Sequence, residues 1–348
     1  MRLIALAVVV VFFGVDAARA DDFALRDGDT VAFLGDSITA ARGYGKLVEN
    51  YTLLRYPGRK VHFINVGRGG DTAAGGLARL QEDVFDRGAT VLTVAYGIND
   101  IGWGTKADDE HRNKYLDSIR EICRRCREKN VRVFICSAAA TAGDPDKTEN
   151  DYLKKMCDEG MQIARDSGAA AIDVQSEMRA IQRKIKEANE REKPEASKRH
   201  TLHAADGIHL NDLGQIAFAY AILKGLGAPA EVSSASVDAK TQQVTATGCK
   251  VSDIVHTSEG VEFTRLDEGL PLNGETFFAL NFRFVPIHDG LNRYTLAVPS
   301  LAPGKYTVYV DDRNVSTYTA GQLANGVNIS SATSDPGQPG GPWSAQAN

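Results

Sequence analysis

The residues best suited to chemistry are a serine near the start of the chain and an aspartate–histidine pair far from it in sequence. Ser37 ends the tripeptide Gly35-Asp36-Ser37, and Asp206 and His209 form an Asp-x-x-His pair. A serine hydroxyl attacks an ester when a base takes its proton, and neutral imidazole can do so near pH 7. A carboxylate can hold that imidazole in one tautomer. We therefore predict a Ser37 nucleophile, a His209 base and an Asp206 that orients the base.

Two further loops contain groups that can stabilise the oxyanion formed in such a reaction. One is the glycine-rich stretch 65–72, and the other is the stretch 97–100, which contains Asn99. Backbone N–H groups and neutral amides are suitable donors, and a glycine backbone can approach a substrate closely. A phosphate-binding loop is the alternative for 65–72, but neither Gly-x-Gly-x-x-Gly nor the lysine of a Walker motif follows. Taken alone, Asn99 and Asp206 are also typical of turns and helix caps.

The pattern around these loops predicts the elements that position them. Short apolar runs alternate with amphipathic stretches from residue 30 to about 226, which favours βαβ units and a parallel sheet. The predicted strands are 31–34, 61–66, 90–95, 131–136 and 169–174, and the predicted helices are 45–55, 73–87, 109–129, 149–167, 176–193 and 211–225. We expect an α/β fold with a flavodoxin-like parallel sheet sandwiched by helices. Three of the loops follow predicted strands, at the edge where such sheets bind ligands.

The pattern changes after residue 229, where short alternating runs and turn signals replace the longer elements. Strands are predicted at 243–246, 261–266, 277–284, 294–298, 306–310 and 316–319. We therefore expect an α/β domain over 21–228, a small antiparallel β-rich accessory domain over 229–332, and a Gly/Pro-rich tail over 333–348. The tail ends in what reads as the start of a helix, so a truncated C-terminus is an open expectation.

The four blocks, in this order, resemble those of the SGNH hydrolases, also called GDSL esterases, over about residues 28–227. The nucleophile block reads Gly-Asp-Ser-Ile where the family has Gly-Asp-Ser-Leu, a conservative change at a packing position. No residue that the family requires is missing. The chain lacks Gly-x-Ser-x-Gly, so the nucleophile-elbow type of α/β-hydrolase is not indicated.

The resemblance implies roles for single residues of this sequence. Ser37 would be the nucleophile, and Asp206 and His209 would supply the acid and the base. The oxyanion donors would be the N–H of Ser37, a glycine of the second block, which alignment places at Gly70 rather than Gly67, and the side chain of Asn99. Asp36 and Asn65 would have supporting positions. No metal and no cofactor is expected.

The N-terminus has the build of a secretory signal peptide. Arg2 precedes an apolar run over 3–15, and Ala18-Arg19-Ala20 matches an Ala-x-Ala cleavage site. We expect residues 1–20 to be removed and the mature protein to be exported, to the periplasm or the cell exterior, without a stable membrane span. An uncleaved anchor is the alternative, although the apolar run is shorter than the roughly 20 residues of a helical span.

Composition narrows the class of partner. The chain is 43% hydrophobic and 24% charged, which is typical of a globular protein, and its formal net charge is −5. A mildly acidic protein has no electrostatic reason to bind nucleic acid. The five cysteines do not form a disulfide framework. Cys123 and Cys126 are interpreted as thiols on a charged helix, and one local disulfide between them is left open.

The leading functional hypothesis is an exported serine esterase that acts through an acyl-enzyme as a carbohydrate O-acetylesterase. A lysophospholipase or thioesterase of the same family is the first alternative, and a non-catalytic glycan-binding protein on the same fold is the second. The acyl group, the alcohol, the oligomeric state and the role of the β-rich part are left open. His200 and His203 are expected to be exposed loop residues.

Overall fold

A computed structural model of the protein describes residues 23–257, 260–272, 283–311 and 313–330. The expected signal peptide and the tail over 333–348 lie outside these residues, as does most of the predicted strand 277–284.

The α/β part is built on a five-stranded parallel sheet in the order β2-β1-β3-β4-β5, which confirms the flavodoxin-like fold class. The strands are β1 Thr30–Gly35, β2 His62–Asn65, β3 Val91–Ala95, β4 Arg132–Cys136 and β5 Ala170–Ile172. The helices are α1 Ser37–Ala40, α2 Gly43–Arg55, α3 Ala73–Ala78, α4 Asp109–Glu128, α5 Pro145–Thr148, α6 Tyr152–Asp166, α7 Val174–Glu192 and α8 Asp212–Gly225. The short helices α1 and α5 are the ones that the sequence pattern did not predict.

The sheet separates two apolar cores. Side chains of a strand point alternately to its two faces. On β1, Val31 and Phe33 therefore pack into the core formed with α2, α7 and α8, while Ala32 and Leu34 pack into the core formed with α3, α4 and α6. Because helices cover both faces, β1 and β3 are apolar over almost their whole length, as buried parallel strands are.

The prediction of one helix over 73–87 is wrong in one respect, because the structure has two elements there. Helix α3 ends at Ala78, and a π-helical turn spans Gln81–Phe85. This wider turn carries Asp83, whose carboxylate accepts a hydrogen bond of 2.6 Å from the buried Arg79. π-Helical turns of this kind are frequent at functional sites.

The remaining elements form the β-rich part, which contains a mixed four-stranded sheet and two hairpins. The sheet has the order β13-β10-β6-β7, and the hairpins are β8-β9 and β11-β12. The bounds are β6 Glu231–Val237, β7 Val244–Thr247, β8 Cys249–His256, β9 Val261–Asp267, α9 Ile287–Gly290, β10 Arg293–Ala297, β11 Lys305–Val310, β12 Arg313–Thr319, α10 Ala320–Asn325 and β13 Val327–Asn328. The expected all-antiparallel arrangement is wrong, since β10 pairs with β6 in parallel. The long connection between these two strands makes that crossover possible.

The β-rich part packs against the face of the sheet that is covered by α2 and α8. The N–H of Leu270 donates to the carbonyl of Leu54 at 2.9 Å, and Gly290 lies against the ring of Tyr220. A Cβ at Gly290 would stand 2.4 Å from the Tyr220 hydroxyl, so the close approach requires glycine. Leu272 and the stretch 284–291 therefore join the core on this face, while β10, β12 and α10 enclose a separate small core.

The cysteines are buried and unpaired. Cys123 and Cys126 lie on α4 as free thiols, which resolves the disulfide alternative against pairing. Burial raises the pKa of Cys123 to about 11 and that of Cys126 to about 12. Thiols of such high pKa are poor nucleophiles and metal ligands, so these residues serve packing.

Within the part of the chain that the structure describes, every helix is too short or too polar to span a bilayer.

Candidate active site

Ser37 lies at the carboxyl end of β1 and is the first residue of α1. Asp36 caps this helix, and its Oδ1 accepts a hydrogen bond of 3.0 Å from the N–H of Ile38. The strand must end in glycine here, because a Cβ on Gly35 would stand 2.1 Å from Thr39 Oγ1. The N–H of Ser37, in the first turn of a helix, has no intrahelical acceptor. It is therefore available to a ligand at the same place as the hydroxyl.

The three residues predicted to act on the ester are joined by two hydrogen bonds. Ser37 Oγ and His209 Nε2 are 2.9 Å apart, and His209 Nδ1 and Asp206 Oδ2 are 2.6 Å apart. With the proton on Nδ1 facing the carboxylate, Nε2 is left to accept from the serine hydroxyl. His209 and Asp206 are more than one third exposed, so a substrate can reach them from solvent.

Asp206 is held by its own loop, residues 203–210, which we call the His209 loop. Its Oδ1 accepts the N–H groups of Ile208 and His209, both at 2.9 Å. The hydrogen bond from His209, followed by these two, lowers the pKa of Asp206 to about 2. The carboxyl is therefore ionised at neutral pH and favours the proton on Nδ1 of the imidazole.

The base of the His209 loop is fixed by contacts with the segment that follows β4. The N–H of Ala142 donates to the carbonyl of Gly207 at 2.8 Å, and His203 Nε2 donates to the carbonyl of Ala140 at 2.7 Å. The expectation that His203 is an exposed loop residue is wrong, because only 5% of its surface is exposed. Burial lowers its pKa, so the neutral form is favoured. His200 is partly buried and packs on Phe284, with 4.9 Å between ring centroids.

The stretch 65–72, which we call the Gly70 loop, follows β2 and lies against α1. Asn65 Nδ2 donates to the carbonyl of Thr39 at 2.7 Å, and Asn65 Oδ1 accepts the N–H of Gly67 at 3.1 Å. Gly67 must be glycine, because a Cβ there would stand 2.4 Å from the backbone N of Ala40. Gly70 has a φ of +72° and open space on its Cβ side. Within the described residues its exposed N–H donates to no acceptor, so it is free to bind a ligand.

Asn99 follows β3 and joins the Gly70 loop through its side chain. Its Nδ2 donates to the backbone carbonyl of Asp71 at 3.0 Å, and its Oδ1 accepts a hydrogen bond of 2.9 Å from the indole N–H of Trp103. Nδ2 carries a second proton that these two contacts do not use. Ser37, Gly70 and Asn99 thus lie at the ends of, or directly after, three neighbouring strands of one sheet edge.

A buried ionic cluster that the sequence analysis missed supports the Gly70 loop from below. The Asp71 carboxylate accepts from Arg79 Nη2 at 2.7 Å and from the Tyr96 hydroxyl at 2.9 Å. Arg79 also donates to Asp83 at 2.6 Å and to the carbonyl of Val66 at 2.6 Å. Its side chain is only 7% exposed. The one available signal was an arginine and an aspartate four residues apart in a stretch of otherwise apolar core positions.

Two further buried carboxyls stand close to the site. Burial raises the pKa of Asp36 to about 6 and that of Asp100 to about 7. Asp100 Oδ1 accepts the N–H of Ala73 at 3.0 Å, while its Oδ2 has no hydrogen-bond partner in the described part of the chain. Asp100 thus links the start of α3 to the loop that carries Asn99.

A cavity of about 10 Å³ lies beneath α1 and is lined by the two residues that flank Ser37, Asp36 and Ile38, but not by Ser37 itself. Ile38 and Thr39 line it from α1, Ile208 lines it from the His209 loop, and Phe218 and Ala139 contribute to its walls. A volume of this size holds a group about as large as one water molecule. Among the residues that the structure describes, no group of three or more His, Cys, Asp or Glu side chains is arranged to hold a metal ion.

Comparison with known proteins gives a matching family and a solved structure that resembles most of the chain. A model of the GDSL-like lipase/acylhydrolase family matches residues 33–216. The structure of a gut microbial diltiazem-metabolizing enzyme is similar with a TM-score of 0.73 and 26% identity, covering 93% of this chain and 76% of that one. That likeness therefore includes the β-rich part. No match was found among curated proteins.

Two further structures match a smaller share of the chain. Axe2, an acetylxylan esterase from Geobacillus stearothermophilus, gives a TM-score of 0.49 at 20% identity and covers 59% of this chain and 96% of its own. LAE5, an alpha/beta hydrolase enzyme from the metagenome of Lake Arreo in Spain, gives 0.47 at 20% identity and covers 59% and 98%.

Proposed function

The chain belongs to the GDSL-like lipase/acylhydrolase family and is a carboxylic ester hydrolase, and from this premise we propose that it works through an acyl-enzyme on Ser37. The observation that carries the proposal is the hydrogen-bonded series from Ser37 Oγ through the His209 ring to the Asp206 carboxylate, with distances of 2.9 and 2.6 Å. Such a series needs no metal and no cofactor.

In the first half of the reaction, Ser37 Oγ attacks the carbonyl carbon of the ester while His209 Nε2 takes the hydroxyl proton. Negative charge develops on the carbonyl oxygen. This oxyanion accepts hydrogen bonds from the N–H of Ser37, the N–H of Gly70 and the second proton of Asn99 Nδ2. Asp206 stabilises the imidazolium that forms. The intermediate collapses, and His209 gives its proton to the departing alcohol.

In the second half, a water molecule takes the place of the alcohol. His209 Nε2 removes a proton from this water, and the resulting hydroxide attacks the acyl carbon. The same three donors stabilise the second oxyanion. The ester bond to Ser37 breaks, Oγ recovers its proton from His209, and the free acid leaves.

We propose that the acyl group is short, most simply acetyl. Support comes from the small cavity beneath α1, which is lined by the residues that flank Ser37 and by Ile208 and Phe218 and leaves room for a methyl group at most. A series of 4-nitrophenyl esters tests this: kcat/KM should fall steeply from acetate to butyrate to octanoate. Ile208→Ala should shift the preference toward butyrate, whereas Ile163→Ala, a like truncation on α6, should leave it unchanged. A wild-type preference for octanoate would contradict the proposal.

We further propose that the enzyme is exported and removes acetyl groups from a carbohydrate. The signal-like N-terminus supports export, and an exported esterase meets acetylated polysaccharides outside the cell. Mass spectrometry of the protein secreted or released from the periplasm should find Asp21 at its N-terminus. Full-length protein that stays in the cytosol would contradict export.

The substrate is tested by acetate release from a panel of acetylated xylan, pectin and peptidoglycan fragments, diltiazem and a lysophospholipid, with Ser37→Ala as control. Diltiazem is included because it is itself an acetate ester and the similar structure is of a diltiazem-metabolizing enzyme. Release from a glycan that the Ser37→Ala variant cannot achieve would support the carbohydrate O-acetylesterase. Release from the lysophospholipid alone would favour the lipase alternative. No release from any ester would favour a glycan-binding protein.

A further inference from the structure

Trp103 stands out because it is exposed and unusually placed. It has φ +57° and ψ +32°, and it lies between Gly102 at φ +53° and Gly104 at φ +93°. Glycine adopts this left-handed region readily, but a bulky side chain does so at an energetic cost. Strain of this kind is typical of functional sites. The indole is nevertheless 49% exposed, so burial of the ring does not compensate for the strain.

The indole N–H contacts a group that the proposed mechanism uses. It donates to Asn99 Oδ1 at 2.9 Å, while Asn99 Nδ2 donates to the carbonyl of Asp71 at 3.0 Å. Rotation of the amide by 180° would put its oxygen against the Asp71 carbonyl and its NH₂ against the indole N–H. Both contacts would then be repulsive, so Trp103 and Asp71 together fix one orientation of the amide.

The indole ring is also next to the base. The centroids of the Trp103 and His209 rings are 5.7 Å apart, and the rings meet edge to face at 71°. His209 Nε2 must protonate the departing alcohol, so the alcohol portion of a bound ester lies on the side of His209. An exposed indole at this place presents an apolar surface to that portion.

We propose that Trp103 is a positioning and specificity residue: its N–H holds the Asn99 amide in the donating orientation, and its ring contacts a ring of the alcohol portion of the substrate. This inference rests on the proposed function and adds to it the chemistry that is recognised, an acetate ester carried on a ring. A sugar ring and the ring system of diltiazem both offer such a surface.

Two variants distinguish the hydrogen bond of the indole N–H from the contact made by the indole ring. Trp103→Phe keeps an aromatic ring and removes the donor, so kcat should fall about 5- to 10-fold, as for one lost hydrogen bond, with KM within twofold of wild type. Trp103→Ala removes both, so KM for acetylated xylobiose or diltiazem should rise about 5- to 10-fold as well, while KM for methyl acetate should not change. Unchanged kcat in Trp103→Phe, or an equal rise of KM for methyl acetate, would overturn the proposal.

A fluorescence titration tests the ring contact in a protein that keeps Trp103, so it does not depend on whether the Trp103 variants fold. The sequence contains two tryptophans, Trp103 and Trp343, so a Ser37→Ala/Trp343→Phe protein reports the fluorescence of Trp103 alone. Titration with acetylated xylobiose or diltiazem should change the emission, and methyl acetate should not; no change with either ring compound would overturn ring contact. If the wild type hydrolyses no ester, the proposed function fails, but this titration still reads the contact with Trp103.

Discussion

Two of the three Asp-x-x-His pairs in the chain are almost the same locally and differ in what surrounds them. In the first, at the start of α4, Asp108 Oδ1 accepts the N–H of His111 at 2.9 Å and lies 2.8 Å from His111 Nδ1. In the second, Asp206 Oδ1 accepts the N–H of His209 at 2.9 Å, and Oδ2 lies 2.6 Å from Nδ1. The hydrogen bonds from the histidine lower the pKa of the aspartate in both pairs.

What separates the pairs is the group that faces the other ring nitrogen. His209 Nε2 meets the hydroxyl of Ser37, 172 residues away in sequence. His111 has no such partner among the described residues and stays at a solvent-facing helix start. In these two pairs the carboxylate orients the imidazole in the same way, and the sheet topology decides which imidazole becomes a base.

The largest effect is expected when the base itself is removed. His209→Ala should lower kcat for an activated acetyl ester by about 10⁴-fold or more, because no other group can take the Ser37 proton. The matched change His111→Ala should stay within about twofold of wild type, as exposed sites usually do. Comparable losses in the two variants, measured by steady-state kinetics, would mean that the pairs do not differ in the way described.

The next largest effect concerns the buried ionic cluster around Arg79, which supports the Gly70 loop. Arg79→Met removes the buried cation shared by Asp71 and Asp83 and leaves them only the Tyr96 hydroxyl and the more exposed Arg68 and Arg87, which should cost about 3–5 kcal/mol of unfolding free energy. Arg87→Met removes a half-exposed arginine whose guanidinium also reaches Asp83, at 3.6 Å, and should cost less than about 1 kcal/mol. Denaturant unfolding measures both, and equal losses would contradict the support assigned to Arg79.

Substitution of Asn99 tests whether the oxyanion donors near His209, as well as the base itself, distinguish this pair from Asp108 and His111. Asn99→Ala removes one oxyanion donor and should lower kcat by about 10²–10³-fold with little change in KM. Asn113→Ala, on the exposed side of α4 near the first pair, should have no effect on kcat. Wild-type kcat in Asn99→Ala would exclude this side chain from the oxyanion site.

The smallest effect is a pH dependence of stability from the buried carboxyl beside Asn99. The folded state raises the pKa of Asp100 to about 7 from an ordinary 3.8, so it binds the proton more tightly than the unfolded chain does. The stability from this group is present at low pH and is lost as pH rises through about 7, by on the order of 1–3 kcal/mol between pH 5 and 8.

The variant Asp100→Asn should lack this dependence. Asp36, whose pKa is raised to about 6, acts in the same direction in both proteins, so the difference between them reports Asp100 together with its repulsion from Asp36. The thermal midpoint of wild type should therefore fall relative to that of Asp100→Asn as pH rises from 5 to 8. A constant or opposite difference would show that Asp100 is already ionised in the folded protein.

The sequence analysis succeeded where the relevant pattern is local. Apolar runs located all five strands of the parallel sheet to within one or two residues, and the spacing of Asp206 and His209 is itself the geometry of a short loop. It also placed Ser37 and Asn99 at one sheet edge, since parallel strands end at the same edge.

What it missed depends on contacts between residues distant in sequence. Nothing near His203 in sequence shows that its imidazole will be buried against the carbonyl of Ala140. The role of Arg79 depends on Tyr96, which belongs to another strand's end. Similarly, β6 was not predicted as a strand, and its parallel pairing with β10 joins segments that are far apart in sequence.

The central claim is a covalent acyl-enzyme on Ser37, and it is tested most directly by trapping that species. The wild-type enzyme would be quenched with acid during turnover of an activated acetyl ester, digested and mapped by mass spectrometry. We predict one acetyl group on the peptide that contains Ser37, and neither the adduct nor turnover in the Ser37→Ala variant. An acetyl group on another residue, or full turnover by Ser37→Ala, would contradict the account.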